Sequence, residues 1–484
     1  MNAPIRRLGV LIAALFVGLL VATTSIQVVQ APSLRALSFN RRTLLDNYSR
    51  DRGAILIAGK PVARSVKTDD DLGYLRTYPQ AALYSHVTGY YSFTYGAGGG
   101  IEGSSDALLA GTADELFYQR ISDLLTGTAS RGATLELTIN PKAQQAASDA
   151  LGNQRGAVVA LDPRTGAILA MVSHPQYDPN QLSGHDLDAV EAAMKRLTAD
   201  KTTPLVNRAI GGNLYPPGSV FKIVTAAAAL STGAVTEQTM IPAPASMDLP
   251  ESSAPLPNYD HRACGPNNET TLRHALEISC NTAFGWIGLK VGATALHEQA
   301  KKFGFESSLR VPMRVTSSVF PADLDRPHTA QSAIGQFDVR VTPLQVAMIS
   351  AAIANNGVLM KPYLVGKVLG PNLETIDSPT PEVLSQAVSP QVAATIRSMM
   401  VSVVETGTGR PARIDGISVA GKTGTAEQGN GKPPHAWFTA FAPADNPQIA
   451  VAVVVEDGGN LGEEAAGGRL AGPIARAVMK AVIG

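Results

Sequence analysis

The sequence predicts an α/β (α+β) protein: a central antiparallel sheet flanked by helices, behind a smaller N-terminal domain and one apolar N-terminal helix. Three observations carry this. Strand-like runs cluster near the C-terminus: Ile417-Ser418-Val419-Ala420, then Ala436-Trp437-Phe438-Thr439-Ala440-Phe441, then Ile449 to Val455. They are separated by short Gly/Pro-bearing loops, as neighbouring antiparallel strands are. An alanine-rich apolar run, Ile223 to Leu230, suits a buried helix. Residues 8–22 are uncharged and almost wholly apolar, with Arg6 and Arg7 just before them.

Taken in chain order, residues 1–7 are expected in the cytoplasm and 8–30 in a membrane. The softer stretch up to Gln30 brings the apolar segment to the roughly 20 residues that a span needs. The first part alone would also suit a cleaved signal peptide. The small-residue cleavage candidates are Ala22 and Ala31, and Pro32 disfavours the second. An uncleaved single-pass anchor is the expectation, its arginines holding the N-terminus inside and placing later residues outside the cell membrane. Residues 31–153 are the size of one ordinary domain. Within them Leu135 to Ile139 alternates like a half-buried strand, and Asn140-Pro141 punctuates the chain. A helical stretch from Lys142 to Leu151 leads to the larger domain, 154–484.

The chain is 45% hydrophobic and 17% charged, with 40 basic and 40 acidic residues. A zero formal charge argues against nucleic acid, whose binding rests on neutralising phosphates. The histidines show no metal-ligand spacing, and there is no glycine-rich phosphate loop, so no cofactor or metal is expected.

Chemistry concentrates in three short motifs. Ser219-Val-Phe-Lys222 places a hydroxyl three residues before an amine, on one helical face. Tyr215-Pro216-Pro217-Gly218 precedes it and can start a helix at Ser219. A serine hydroxyl needs a base, and a lysine held dry near other cations can lose its charge and serve as one. Ser279-Cys280-Asn281 adds a hydroxyl and an amide. Lys422-Thr423-Gly424-Thr425 adds a cation and two hydroxyls on a strand. Each motif alone is weak, since about one or two S-x-x-K matches arise by chance in a chain this long. Their order and setting together are specific.

This trio resembles that of penicillin-binding proteins and serine β-lactamases. Arg155 to Pro163, Asn207-Arg208-Ala209, Gly335-Gln336, Thr342-Pro343-Leu344-Gln345, Ala354-Asn355-Asn356-Gly357 and Glu405-Thr406-Gly407-Thr408-Gly409 also resemble the transpeptidase domain. Upstream, Ser49-Arg50-Asp51-Arg52-Gly53 and Gly100-Ile101-Glu102-Gly103 resemble the non-catalytic domain of class B members, although a flexible glycine linker would read similarly. No glycosyltransferase signature precedes the catalytic region. The chain therefore resembles a monofunctional class B penicillin-binding protein, most like the actinobacterial A type, which is division-associated.

The resemblance implies peptidoglycan D,D-transpeptidation. Ser219 would attack a stem peptide ending in D-alanyl-D-alanine, and an amine of a neighbouring stem would resolve the acyl-enzyme. Lys222 would be the general base and Ser279 a proton relay. Asn281 would orient Lys222 or hold the substrate amide. Lys422 would supply charge, Thr423 and Thr425 would bind the substrate carboxylate, and the Ser219 and Thr425 N–H groups would form the oxyanion hole. β-Lactams should trap Ser219. A membrane glycosyltransferase and divisome proteins are the implied partners. The rivals are a β-lactamase, a D,D-carboxypeptidase, a β-lactam sensor and an inactive scaffold. The large anchored pre-domain argues against the first. A single expected span argues against the sensor, and the complete motifs argue against the scaffold. Trp437 is expected in the core, with a groove wall as the alternative, and Glu427 as a solvated strand-end charge. Cys264 and Cys280, both expected outside the cytoplasm, are candidates for a disulfide; two free thiols are the alternative.

Overall fold

The computed structural model describes residues 3–30, 48, 50–117, 121, 125, 131–370, 372–429, 431–462 and 466–484. Ser49, Ala31, Pro32 and the expected start of the N-terminal domain at residue 31 lie outside the described residues. Helix α1, Ala3–Thr24, continues through a π turn, Ser25–Val29. The 27-residue run is long and apolar enough to cross a membrane, and none of it is buried. It begins before Leu8, because nothing in the preceding residues breaks a helix, and takes in Arg6 and Arg7.

The next strands are β1 (Ile55–Ile57), β2 (Lys60–Lys67), β3 (Tyr74–Thr77) and β4 (Thr134–Leu137). The Gly-Ile-Glu segment between β3 and β4 is ordered, with a short helix over Gly100–Ser104 that buries Ile101 and Glu102. Glu102 accepts from Arg52 Nε and Arg76 Nε, each at 2.7 Å, and from the Tyr78 hydroxyl at 3.1 Å. Burial alone would raise its pKa; the Arg76 and Arg52 guanidiniums outweigh this and hold it below the usual carboxylate range.

The remainder runs α2 (Pro141–Leu151), β5 (Gly156–Leu161), β6 (Ile168–His174), α3 (Lys222–Ser231), α4 (Leu272–Glu277), α5 (Asn281–Val291) and α6 (Pro343–Ala354). It continues with β7 (Val365–Leu369), β8 (Thr375–Asp377), α7 (Pro390–Glu405), β9 (Ala420–Ala426), β10 (His435–Ala442), β11 (Ile449–Val455) and α8 (Gly467–Ile483). Asn140 caps α2, accepting from the N–H groups of Lys142 and Ala143, with Pro141 at the first helical position.

The larger sheet is five-stranded and antiparallel, ordered β9-β10-β11-β5-β6. Its central strands are buried on both faces, so they read as continuous apolar runs. Alternate residues sort to opposite sides: Val158, Ala160, Val451 and Val453 pack with Leu470, Ile474 and Val478 of α8, while Val159, Ala452 and Val454 join the core that holds Phe221 and Val346. Strand β9 lies at the edge and begins at Ala420, later than the alternation from Ile417 indicates. Ile417 instead turns back to bridge Ile414.

The second sheet has six strands, mostly shorter ones, ordered β8-β7-β4-β1-β2-β3. Strand β4 pairs in parallel with β1 and antiparallel with β7. Strands from beyond residue 360 thus complete the sheet of the N-terminal domain. Helix α2, just ahead of the expected division at 153/154, packs on α8 and on β6 of the larger sheet.

Candidate active site

Ser219 lies in a 3-10 turn, Gly218–Phe221, and the α-helix proper starts at Lys222. The expected helix start at Ser219 is therefore three residues early. Gly218 explains the tight turn: its φ is +54°, and an added Cβ would lie 2.5 Å from the Thr425 carbonyl oxygen. That close approach sets the edge of β9 against the nucleophile's turn. Gly424 faces Val220 and Pro217 across the same gap. Ser219 and Thr425 are both half-buried beside it.

Lys222 is fully buried. Its Nζ donates to the Ser279 carbonyl and to Asn281 Oδ1, both at 2.7 Å, and lies 3.3 Å from Ser279 Oγ. Ser279 can present both oxygens because it takes a left-handed conformation, φ +65°, between α4 and α5. Asn281 is oriented by its own Nδ2, which donates to the Pro257 carbonyl at 3.1 Å. Burial, and then the neighbouring Lys422 cation, push the Lys222 amine well below its ordinary value. An unprotonated amine has two N–H groups and one lone pair. A carbonyl and an amide oxygen only accept, so they take both hydrogens and leave the lone pair for a hydroxyl. Among the described residues Ser219 Oγ makes no hydrogen bond of its own.

Lys422 is also fully buried. Its Nζ donates to Ser279 Oγ at 2.8 Å and to the Thr423 carbonyl at 2.9 Å, with Thr423 Oγ1 at 3.5 Å. Burial lowers its pKa to about 7. Ser279 Oγ therefore bridges two amines, one from each side of the cleft. A cavity of about 980 Å³ opens beside this cluster, lined by Asn281, Pro216, Gln336, Glu427 and His435 among others.

Cys264 and Cys280 are bonded, with Cα atoms 6.1 Å apart. The bridge holds the 256–264 loop against α5, and Asn258 of that loop caps the helix by accepting from the N–H groups of Asn281 and Thr282 at 2.9 and 3.0 Å. Trp437 is buried, as expected, and its Nε1 donates to the Pro216 carbonyl at 3.1 Å. Glu427 is exposed at the strand end.

The family described as the penicillin binding protein transpeptidase domain matches residues 156–480. The chain belongs to this family. A second family, the penicillin binding protein A dimerisation domain, matches residues 52–135 of the same penicillin-binding protein. It is 47% identical to the peptidoglycan D,D-transpeptidase PbpA of Mycolicibacterium smegmatis, over 100% of this chain and 99% of that one. Identity to the protein of the same name from Mycobacterium tuberculosis is 45%, over the same shares. Among solved structures, it is similar to penicillin-binding protein A from M. tuberculosis in a ceftriaxone acyl-enzyme complex. The TM-score is 0.87 at 44% identity, covering 91% of this chain and 100% of that one. The penicillin G acyl-enzyme complex of that protein gives 0.85 at 44%, covering 90% and 100%.

Three further residues buttress this cluster. Glu456, at the end of β11, accepts from Arg208 Nε and the Tyr215 hydroxyl at 2.7 Å and from Arg155 Nη2 at 2.5 Å. With Trp437, it fixes the Tyr215–Gly218 approach to Ser219. Asn258 holds Asn281, and Thr408 lies 2.8 Å from Thr423 Oγ1. Arg208 and Thr408 stand inside segments quoted for their family likeness, and Tyr215 inside the turn quoted before Ser219; nothing local in the sequence marks Glu456 or Asn258.

Proposed function

We propose that this chain is a serine peptidoglycan D,D-transpeptidase and a β-lactam target, with Ser219 as its nucleophile. The observation that carries the reading is the setting of Lys222: a fully buried amine three residues after Ser219, donating to the Ser279 carbonyl and Asn281 Oδ1, with its pKa pushed well down by burial and Lys422. Ser219 Oγ bonds to the penultimate D-alanine carbonyl of the donor stem and passes its proton to Lys222. The tetrahedral oxyanion is held by the N–H groups of Ser219 and Thr425, each such donor contributing roughly 3–4 kcal/mol in other enzymes. Ser279, shared between Lys222 and Lys422, relays the proton to the leaving nitrogen. The C–N bond breaks and D-alanine departs. An acceptor amine then bonds to the acyl carbon, the ester C–O bond breaks, and a proton lost by that amine passes through Lys222 to Ser219. Lys422 and the hydroxyls of Thr423 and Thr425 hold the donor's terminal carboxylate. A β-lactam follows the first half, but its leaving nitrogen stays tethered.

The placement outside the cell membrane follows from α1 as a single-pass anchor. Division-linked cross-linking beside a membrane glycosyltransferase is the fitting role, on the likeness to the actinobacterial A type. Intact-mass spectrometry with penicillin G tests the chemistry. One adduct per chain, stable over hours and lost in Ser219→Ala, is expected. An adduct that decays within seconds would mark a β-lactamase, and a persistent adduct in the variant would move the nucleophile elsewhere.

A further inference from the structure

The segment Thr406-Gly407-Thr408 is clamped onto the turn that carries Ser279. Thr406 Oγ1 donates to Glu277 Oε1 at 2.9 Å, and the Thr408 N–H donates to the Glu277 carbonyl at 3.2 Å. Gly407 lies so close that a Cβ would fall 2.3 Å from that same carbonyl oxygen. Glu277 is two residues before Ser279, so the clamp fixes Thr408 relative to the catalytic turn. Thr408 is exposed while Thr423 is buried, and their hydroxyl oxygens are 2.8 Å apart.

A hydroxyl has one proton and two lone pairs. The Thr423 oxygen has Lys422 Nζ on one side at 3.5 Å and Thr408 on the other. If Thr408 donates, the lone pairs of Thr423 are taken and its own O–H is free. If Thr423 donates, that proton is spent, and an incoming carboxylate meets only oxygen lone pairs. Thr408 has one competing acceptor of its own, the Glu277 carbonyl, at a long 3.4 Å. The 2.8 Å contact admits either hydroxyl as donor, and only donation from Thr408 leaves the Thr423 proton unspent.

We infer that Thr408 is a positioning residue for the substrate carboxylate: its hydroxyl donates to Thr423 Oγ1, which leaves the Thr423 O–H for the carboxylate. This rests on the proposed role of Thr423 and extends the carboxylate site to the Glu405–Gly409 segment. Bonds to charged acceptors are the stronger class, so losing this one should slow capture of an anionic substrate by about tenfold. A neutral ester keeps a carbonyl acceptor but not the charge, so it should be far less sensitive.

The test uses the full chain in detergent, with penicillin G and penicillin G methyl ester as probes and second-order acylation rate constants as the readout. Thr408→Val should lower the rate with penicillin G about tenfold and leave the ester rate within about twofold, while Thr408→Ser restores the acid rate. Equal slowing of both probes would show a merely structural residue and overturn the inference, as would no slowing of either. If Thr408→Val does not fold, Thr408→Ala is read the same way. Failure of the wild type to be acylated at all would instead sink the proposed function, so the two failures are distinct.

Discussion

Replacing Lys422 by methionine separates the energetic cost of a buried amine from its catalytic use. In the folded protein burial lowers the Lys422 pKa from 10.5 to about 7. The unfolded chain keeps the ordinary value and so binds the proton more tightly. Below about pH 7 both states are protonated and stability does not change. Between about 7 and 10.5 the folded state has released the proton and the unfolded state has not, so stability rises by ~1.4 kcal/mol per pH unit. From pH 7 to pH 9, allowing for half-protonation at the start, Lys422 adds about 2 kcal/mol. Lys422→Met removes this contribution. Lys222 is held low first by burial, which the variant keeps; the Lys422 cation, which the variant removes, is the lesser cause. Urea unfolding at the two pH values measures the difference. The expected result is that wild type gains about 2 kcal/mol more than the variant, while the variant loses acylation. Identical pH dependence in both proteins would mean that Lys422 keeps an ordinary pKa in the fold, and the account of the paired amines would fail.

Two further outcomes are expected. Native protein should have no alkylatable thiols, and Cys264→Ser should lower stability by roughly 3 kcal/mol, the chain-entropy value for a loop near 15 residues; two reactive thiols in unreduced protein would end that expectation. The mature protein should retain its N-terminal helix, and N-terminal sequencing that begins at or after Thr23 would contradict the anchor.

The parts of the site that were legible in the sequence are those whose chemistry is local. Ser219 with Lys222, Ser279 with Asn281, and Lys422 with Thr423 each pair within a few residues, where helix or strand period fixes who can meet whom. The strands over 436–441 and 449–455 were legible because burial on both faces demands unbroken apolar runs. Strand β7 was not placed with the N-terminal domain, because its pairing with β4 spans more than two hundred residues and leaves no local pattern. Ile417 alternates like a strand residue, yet turning back to Ile414 places it outside β9.

Glu456 shows the same limit from the side of function. It follows an apolar strand and opens a turn, and the acidic pair Glu456-Asp457 there reads as a solvated end. Only the fold brings Arg155, Arg208 and Tyr215 to it from segments as far as 301 residues away. Each of those partners sits at a chain end that must be fixed: Arg155 before β5, Arg208 in the approach loop, and Tyr215 four residues before the nucleophile. A buried carboxylate that anchors three such ends ties the position of Ser219 to the larger sheet itself, on whose edge strand Lys422, Thr423 and Thr425 stand. Ser219 and the carboxylate site proposed for Thr423 and Thr425 are therefore referenced to one sheet, as a reaction that must align a carbonyl and a carboxylate of the same peptide requires.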